Sequence, residues 1–264
     1  MISQIKNEGP AVLLSNTEFR WGTPTDCFRL RIDHFRLERE ESNILVGPSG
    51  SGKSTLLGII CGTLKPQEGE TRVLGQRLEE IGDLARDRFR ADNIGIIFQQ
   101  FNLLPYLSAI DNVLLPLNFS MLKKHACGST RAECYSEAEK LLETLGIDIK
   151  TTAKQKAVEL SIGQQQRVAA ARAFIGSPQL IIADEPTSSL DRSVQSQVLE
   201  LLRNLQHKYN LTFLFISHDL KIIKALCHDI IVMKDGVAVE AGPAKNILKQ
   251  PQNPYTQDLL EATS

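Results

Sequence analysis

The 264-residue sequence has little that would tie it to a membrane directly. Its longest apolar runs, such as residues 211–216, fall far short of the roughly 20 residues that cross a bilayer. Its opening, MISQIKNEGP, has no basic stretch followed by an apolar one, so no secretory leader is expected. An excess of either charge is missing too. Thirty Lys and Arg against 31 Asp and Glu leave a formal charge of −1, with no long charge run or basic stripe, so no nucleic-acid partner is expected. The five cysteines (Cys27, Cys61, Cys127, Cys134 and Cys227) are odd in number and irregularly spaced, and no nearby pair completes a metal-ligand set. Free thiols in a reducing compartment are expected rather than a zinc or redox centre. Internal repeats and heptads are absent, which excludes a solenoid or a long coiled coil.

What is present suits a globular α/β domain: 42% hydrophobic and 23% charged residues, in a chain long enough for one large core with a small lobe. Residues 41–46 read as a buried strand centred on Ile44, Leu45 and Val46. GPSGSGKS follows at positions 47–54, and TLLGII then continues as a helix. Strand, glycine-rich loop and helix in that order are the context of a phosphate-binding loop. Gly47, Gly50 and Gly52 let backbone N–H groups converge on a phosphate, and the helix N-terminus adds a favourable dipole. Lys53 supplies a point charge and Ser54 a hydroxyl for Mg²⁺. Pro48, Ser49, Ser51 and the adjoining Thr55 complete the candidate nucleotide cradle.

A second motif, LIIADEP at 180–186, is an apolar strand ending in two carboxylates. An acidic pair at a strand end is more often solvated surface. At this distance after a phosphate loop, Asp184 suits Mg²⁺ and Glu185 suits a general base acting on water. Further elements are strands over 94–98, 180–183, 211–216, 230–233 and 237–240, the last two flanking the hairpin signal Lys234-Asp235-Gly236. Helices are expected over 136–145, with Ser136 and Glu139 at capping-box spacing, and over 164–174 and 193–209. Residues 123–131 read as a polar loop.

Residues 160–167, LSIGQQQR, open a helix and resemble the signature sequence of ABC ATPases. The chain is similar to that family over about residues 12–242, with motifs in the family's order. The resemblance implies a P-loop NTPase (RecA-like) core with an ABC-type antiparallel β-subdomain and an inserted helical subdomain. Residues 1–98 and 169–242 would form the catalytic lobe, 99–168 the helical subdomain and 243–264 a tail, either a docking segment or a capped end. It further implies that Ser161 and Gly163 contact the γ-phosphate of ATP bound to a second subunit. Gln99 resembles the Q-loop glutamine that reaches Mg²⁺ and the attacking water. Asp191, in Ser189-Leu190-Asp191, resembles the D-loop, and His218 resembles the histidine that contacts the γ-phosphate. Trp21 is the candidate adenine-stacking aromatic, with core packing as its rival and Phe19 and Phe28 nearby. Ile162 stands where the family has its first glycine. It is acceptable if that position is helical and strained if it requires positive φ.

The resemblance implies ATP and Mg²⁺ as ligands, a second ABC ATPase subunit as partner in a homodimer or a heterodimer, and attachment through integral membrane subunits to the cytoplasmic face of a membrane. Residues 98–117, FQQFNLLPYLSAIDNVLLPL, look like ATPases of the lipoprotein-release and macrolide-efflux group. The segments SVQSQVLELL, LFISHDL and NPYTQDLL look more like oligopeptide, dipeptide and nickel importers. Because the region after Gln99 faces the membrane subunit in this family, export or lipoprotein-type mechanotransmission is expected ahead of import. A non-transport ABC ATPase ranks below both.

Overall fold

The structure, a computed structural model, describes residues 9–23, 26–128, 130–186, 192–217 and 226–262. In chain order its strands are β1 (Val12–Thr23), β2 (Asp26–Leu37), β3 (Ser42–Val46), β4 (Glu68–Val73), β5 (Gln76–Arg77), β6 (Ile94–Ile97), β7 (Leu180–Asp184), β8 (Thr212–Ile216), β9 (Asp229–Lys234) and β10 (Val237–Pro243). The principal helices are α1 (Lys53–Ile60), α2 (Asp83–Asn93), α3 (Ala109–Leu114), α4 (Met121–Cys127), α5 (Arg131–Thr144), α6 (Ile162–Phe174) and α7 (Arg192–Tyr209). Contacts divide the chain into two units, Met1–Asp87 with His218–Ser264, and Arg88–Ser217.

In the first unit the strands run β5-β4-β1-β2-β10-β9-β3. β1 and β2 form a long antiparallel hairpin, and β1 pairs antiparallel with β4. Alternation sets the burial of β2: Leu30 and Ile32 face the core while Arg31 and Asp33 face water. Burying side chains such as Leu14, Leu30, Ile32 and Leu37 stabilises the unit by roughly 1.5–3 kcal/mol each. At Asn16 (φ 48°) the register against β4 slips between Ser15 and Glu18, a bulge in the strand. Glu18, buried beyond the bulge, is paired with Arg20 and Arg29. β3 pairs parallel with β9, and all five of its residues are buried, which its run of apolar residues anticipates.

The short C-terminal helix Pro254–Ala262 belongs to this unit as well. Glu240 of β10 accepts hydrogen bonds from the N–H groups of Gln252 (2.9 Å) and Asn253 (3.2 Å). The Lys234 ammonium lies 4.7 Å from the centre of the Tyr255 ring. The tail is thereby packed on the β9–β10 hairpin of its own chain.

In the second unit β6, β7 and β8 are parallel and in register, and α3 and α5 pack on α6. Two local expectations are corrected here. Residues 121–127 are the helix α4 rather than part of a loop, capped by Ser120, whose Oγ accepts the Lys123 N–H at 3.0 Å. The polar composition was misleading because Lys123 points inward. Its Nζ donates to the Ile94 carbonyl at 2.9 Å, and burial pushes its pKa down to about 8. Helix α5 starts at Arg131, before the expected Ser136. Its cap is Thr130, in a capping box with Glu133, and Ser136 lies within the helix.

Candidate nucleotide site

The phosphate loop joins β3 to α1 in the first unit. Gly47 adopts φ 155°, and a Cβ there would lie 2.2 Å from the Met233 carbonyl oxygen. No side chain fits, because β9 runs directly against the loop. Gly52 is the N-cap of α1 in the left-handed region (φ 100°), where a Cβ would also crowd Leu30 and Phe28. The Gly236 N–H of the β9–β10 turn donates to the Ser51 carbonyl at 3.1 Å, so the hairpin holds the loop from the side. Lys53 folds its ammonium over the loop, donating to the carbonyls of Gly47 and Pro48 at 2.8 Å each.

The start of α1 differs from the other helix starts in a way that matters for an anion. Helices α3, α4, α5 and α6 each have a side-chain oxygen accepting a first-turn N–H, from Ser108, Ser120, Thr130 and Ser161. Among the described residues no side chain caps α1, and its first turn carries no carboxylate. Its N–H groups, with Lys53 beside them, fit a phosphate group. The Ser54 hydroxyl is exposed in the same turn.

Trp21 sits at the rim of this loop. Its Nε1 donates to Thr55 Oγ1 of α1 at 3.3 Å, and its ring packs edge-on against Phe19 at 5.1 Å. It remains 50% exposed, so core packing does not account for it. Placed by the β1–β2 hairpin, it offers a flat apolar face beside the phosphate loop.

In the second unit, β7 buries Leu180, Ile181, Ile182 and Ala183 and brings Asp184 to its C-terminal end. Glu185 follows with φ 46°, a conformation uncommon for a residue with a long side chain. Its N–H donates to the Ile216 carbonyl of β8 at 2.9 Å, and the Ser217 hydroxyl donates to its Oε2 at 3.5 Å. Such a backbone costs on the order of 1–3 kcal/mol and is found where the surroundings hold a side chain in a required direction. Glu185 is thus held at the end of the strand by β8 and Ser217, directly after Asp184.

Gln99 is exposed in the turn after β6. The signature segment forms the start of α6. Ser161 is its N-cap, accepting the Gln164 N–H at 3.3 Å, while Gln164 Oε1 accepts the Ser161 N–H at 2.9 Å. A hydroxyl that accepts here still has its O–H to donate to an anion. Ile162 is the first helical residue, is 56% exposed and has no positive φ, so the substitution for glycine is unstrained. Asp191 and His218 lie outside the described residues. Among the described residues no helix is long and apolar enough to cross a membrane.

Sequence reasoning missed Arg172, which anchors the segment just after Gln99. An arginine within the apolar run VAAARAF was the available signal, since a charge on a packed helix face needs a partner.

A strand-bounded phosphate loop, a carboxylate pair at a parallel strand end and a signature helix define a nucleotide-binding cassette. Residues 30–188 match the ABC transporter family, and the chain belongs to it. It is 40% identical over 230 residues to YejF of Escherichia coli (strain K12), described as an uncharacterized ABC transporter ATP-binding protein, spanning 86% of this chain and 42% of that one. It is 37% identical over 221 residues to the methionine import ATP-binding protein MetN 1 of Lactiplantibacillus plantarum, spanning 83% of this chain and 59% of that one. The chain thus spans about half the length of these curated relatives. Among solved structures it resembles the dimeric cassette MJ0796, described as a bacterial ABC transporter cassette, with a TM-score of 0.78 and 33% identity over 88% of this chain and 98% of that one. The same cassette in a post-hydrolysis state bound to ADP and Pi gives a TM-score of 0.75 and 34% identity. These likenesses bear out the ABC cassette fold expected from sequence.

Proposed function

We propose that this chain is the ATP-hydrolysing motor subunit of a membrane transporter. The observation that carries the reading is the uncapped start of α1, with Lys53 folded over a loop too tight at Gly47 for any side chain. The triphosphate of ATP is the substrate that such a loop suits. Its phosphates take the α1 N–H groups and Lys53, and its adenine stacks on Trp21. Ser54, Asp184 and Gln99 offer only oxygen ligands, the set Mg²⁺ prefers, and would hold that ion, whose charge offsets the phosphates. Glu185 takes a proton from water as that water's oxygen bonds to the γ-phosphorus and the bond to the β-phosphate oxygen breaks. His218 contacts the same phosphate.

Two copies sandwich two nucleotides, with Ser161 and Gly163 of each facing the other's phosphate loop and Asp191 packing across the dimer. The dimeric form of the MJ0796 cassette supports the assembly of two cassettes. The membrane subunits dock beyond Gln99, where a groove of about 700 Å³ is lined by leucines 107, 114, 115 and 117 together with Asp111 and Lys124. We assign the chain to the cytoplasmic face of the membrane, attached through those partners. The residue division 1–98 with 169–242, 99–168 and 243–264 is kept as the working division into catalytic lobe, helical subdomain and tail. The expectation of export finds no support in the relatives. A methionine-import protein among them favours the import alternative, and import is the direction we assign. The test is ATPase turnover of the purified chain. Glu185→Gln should keep ATP binding and lose about 10²–10⁴-fold in kcat. A Glu185→Gln variant that turns over like the wild type would remove that residue from the role.

A further inference from the structure

We infer that Arg172 is a positioning residue for hydrolysis, holding the Gln99 loop in its working shape and tying it to the signature helix. The inference rests on the ATPase reading above. Arg172 lies near the C-terminal end of α6, half-buried, and its guanidinium donates to two consecutive carbonyls, Phe101 O at 2.5 Å and Asn102 O at 2.6 Å. Both residues stand in the left-handed region, at φ 42° and 49°. Two non-glycine residues in a row in that region are intrinsically unfavourable, so the loop needs an external hold. The carbonyls they present side by side match the planar fork of an arginine, and a charge-assisted pair of this kind is stronger than neutral hydrogen bonds.

Gln99 lies two residues earlier in the same loop, which follows the end of β6 at Ile97. Fixing the backbone at 101 and 102 limits where the Gln99 carboxamide can reach. The other end of α6 is Ser161, about 16 Å away along the helix axis. A nucleotide contact at Ser161 that shifts or rotates α6 therefore drags the Phe101 and Asn102 carbonyls with it. The helix acts as a rigid strut between Ser161 at its start and the loop that follows Gln99. Its sequence neighbours in the helix, Ala170, Ala171, Ala173 and Phe174, are buried apolar residues, among which a charge is costly without a partner.

The test is a double-mutant cycle on the purified full chain, with Kd for ATP, KM and kcat measured for Arg172→Met, Gln99→Ala and the pair. Arg172→Met should lower kcat by about 10- to 100-fold, the cost of misplacing a catalytic group by about an ångström, with Kd within about threefold of wild type. In the Gln99→Ala background the same substitution should add less than about threefold, because its effect passes through Gln99. Arg172→Lys, which keeps the charge but not the fork, should fall between and serves in place of methionine if that variant does not fold. Full kcat in the Arg172 variants, or losses that multiply in the pair, would overturn the inference while leaving the ATPase reading intact. A wild-type chain that binds ATP without hydrolysing it would overturn both.

Discussion

Replacing Lys123 by methionine removes a buried charge whose effect on stability depends on pH in a calculable way. The ammonium is almost fully enclosed, donates to the Ile94 carbonyl and is held down from 10.5 to about 8, chiefly by burial and partly offset by the Asp92 carboxylate. A base whose folded pKa is depressed binds fewer protons folded than unfolded between those two values, so stability rises with pH across that window. The penalty of burying the charge is fully present below about pH 8 and gone above about 10.5. At pH 7 the folded lysine is about nine-tenths protonated and at pH 9 about one-tenth, while the unfolded lysine stays charged at both. Integrated at 1.36 kcal/mol per unit, the wild type should gain about 1.3 kcal/mol over Lys123→Met between pH 7 and pH 9. Losing the bond to Ile94 O costs the variant about 1–3 kcal/mol at either pH, so that term cancels in the comparison. Urea unfolding of both proteins at the two pH values, followed by circular dichroism, reads the difference. Equal pH dependence in the two proteins would refute the claim that this lysine is buried and charged.

Two further predictions concern the site. Trp21→Ala should weaken ATP binding by about 1–3 kcal/mol, or roughly 5- to 150-fold in Kd, with kcat at saturating ATP unchanged, as checked by equilibrium binding and steady-state kinetics. An unaltered Kd would return Trp21 to a purely structural role. Ile162→Gly, which restores the family's usual residue, should change turnover less than about twofold, because Ile162 already occupies the first turn of α6 without strain, and should cost no more than about 1 kcal/mol in stability. A large gain in kcat would show that the isoleucine obstructs the phosphate contact.

The local setting of the candidate site was more legible than the helical part of the fold. The strand, loop and helix around Gly47, Lys53 and Ser54, and the strand end at Asp184 and Glu185, could be read because the apolar runs of β3 and β7 are conspicuous beside them. The start of α5 was misplaced because the sequence offers two capping boxes of the same form, Thr130 with Glu133 and Ser136 with Glu139, and local pattern cannot choose between them. Helix α4 was missed because composition rules put lysine in water, whereas Lys123 is satisfied by a strand carbonyl 29 residues away in sequence. Arg172 escaped for the same reason, since its partners are backbone carbonyls 70 and 71 positions away, and carbonyls leave no mark on a sequence. The left-handed backbone of Glu185 is likewise imposed by β8 and has no local signature.

The sandwich of two nucleotides between two chains is the central claim, and light scattering of the Glu185→Gln protein with Mg-ATP tests it most directly. The account predicts a particle of twice the 29.3 kDa chain mass with ATP, and the single chain without ATP or when Ser161→Ala is added. A protein that binds ATP yet stays at the mass of one chain at every nucleotide concentration would contradict it.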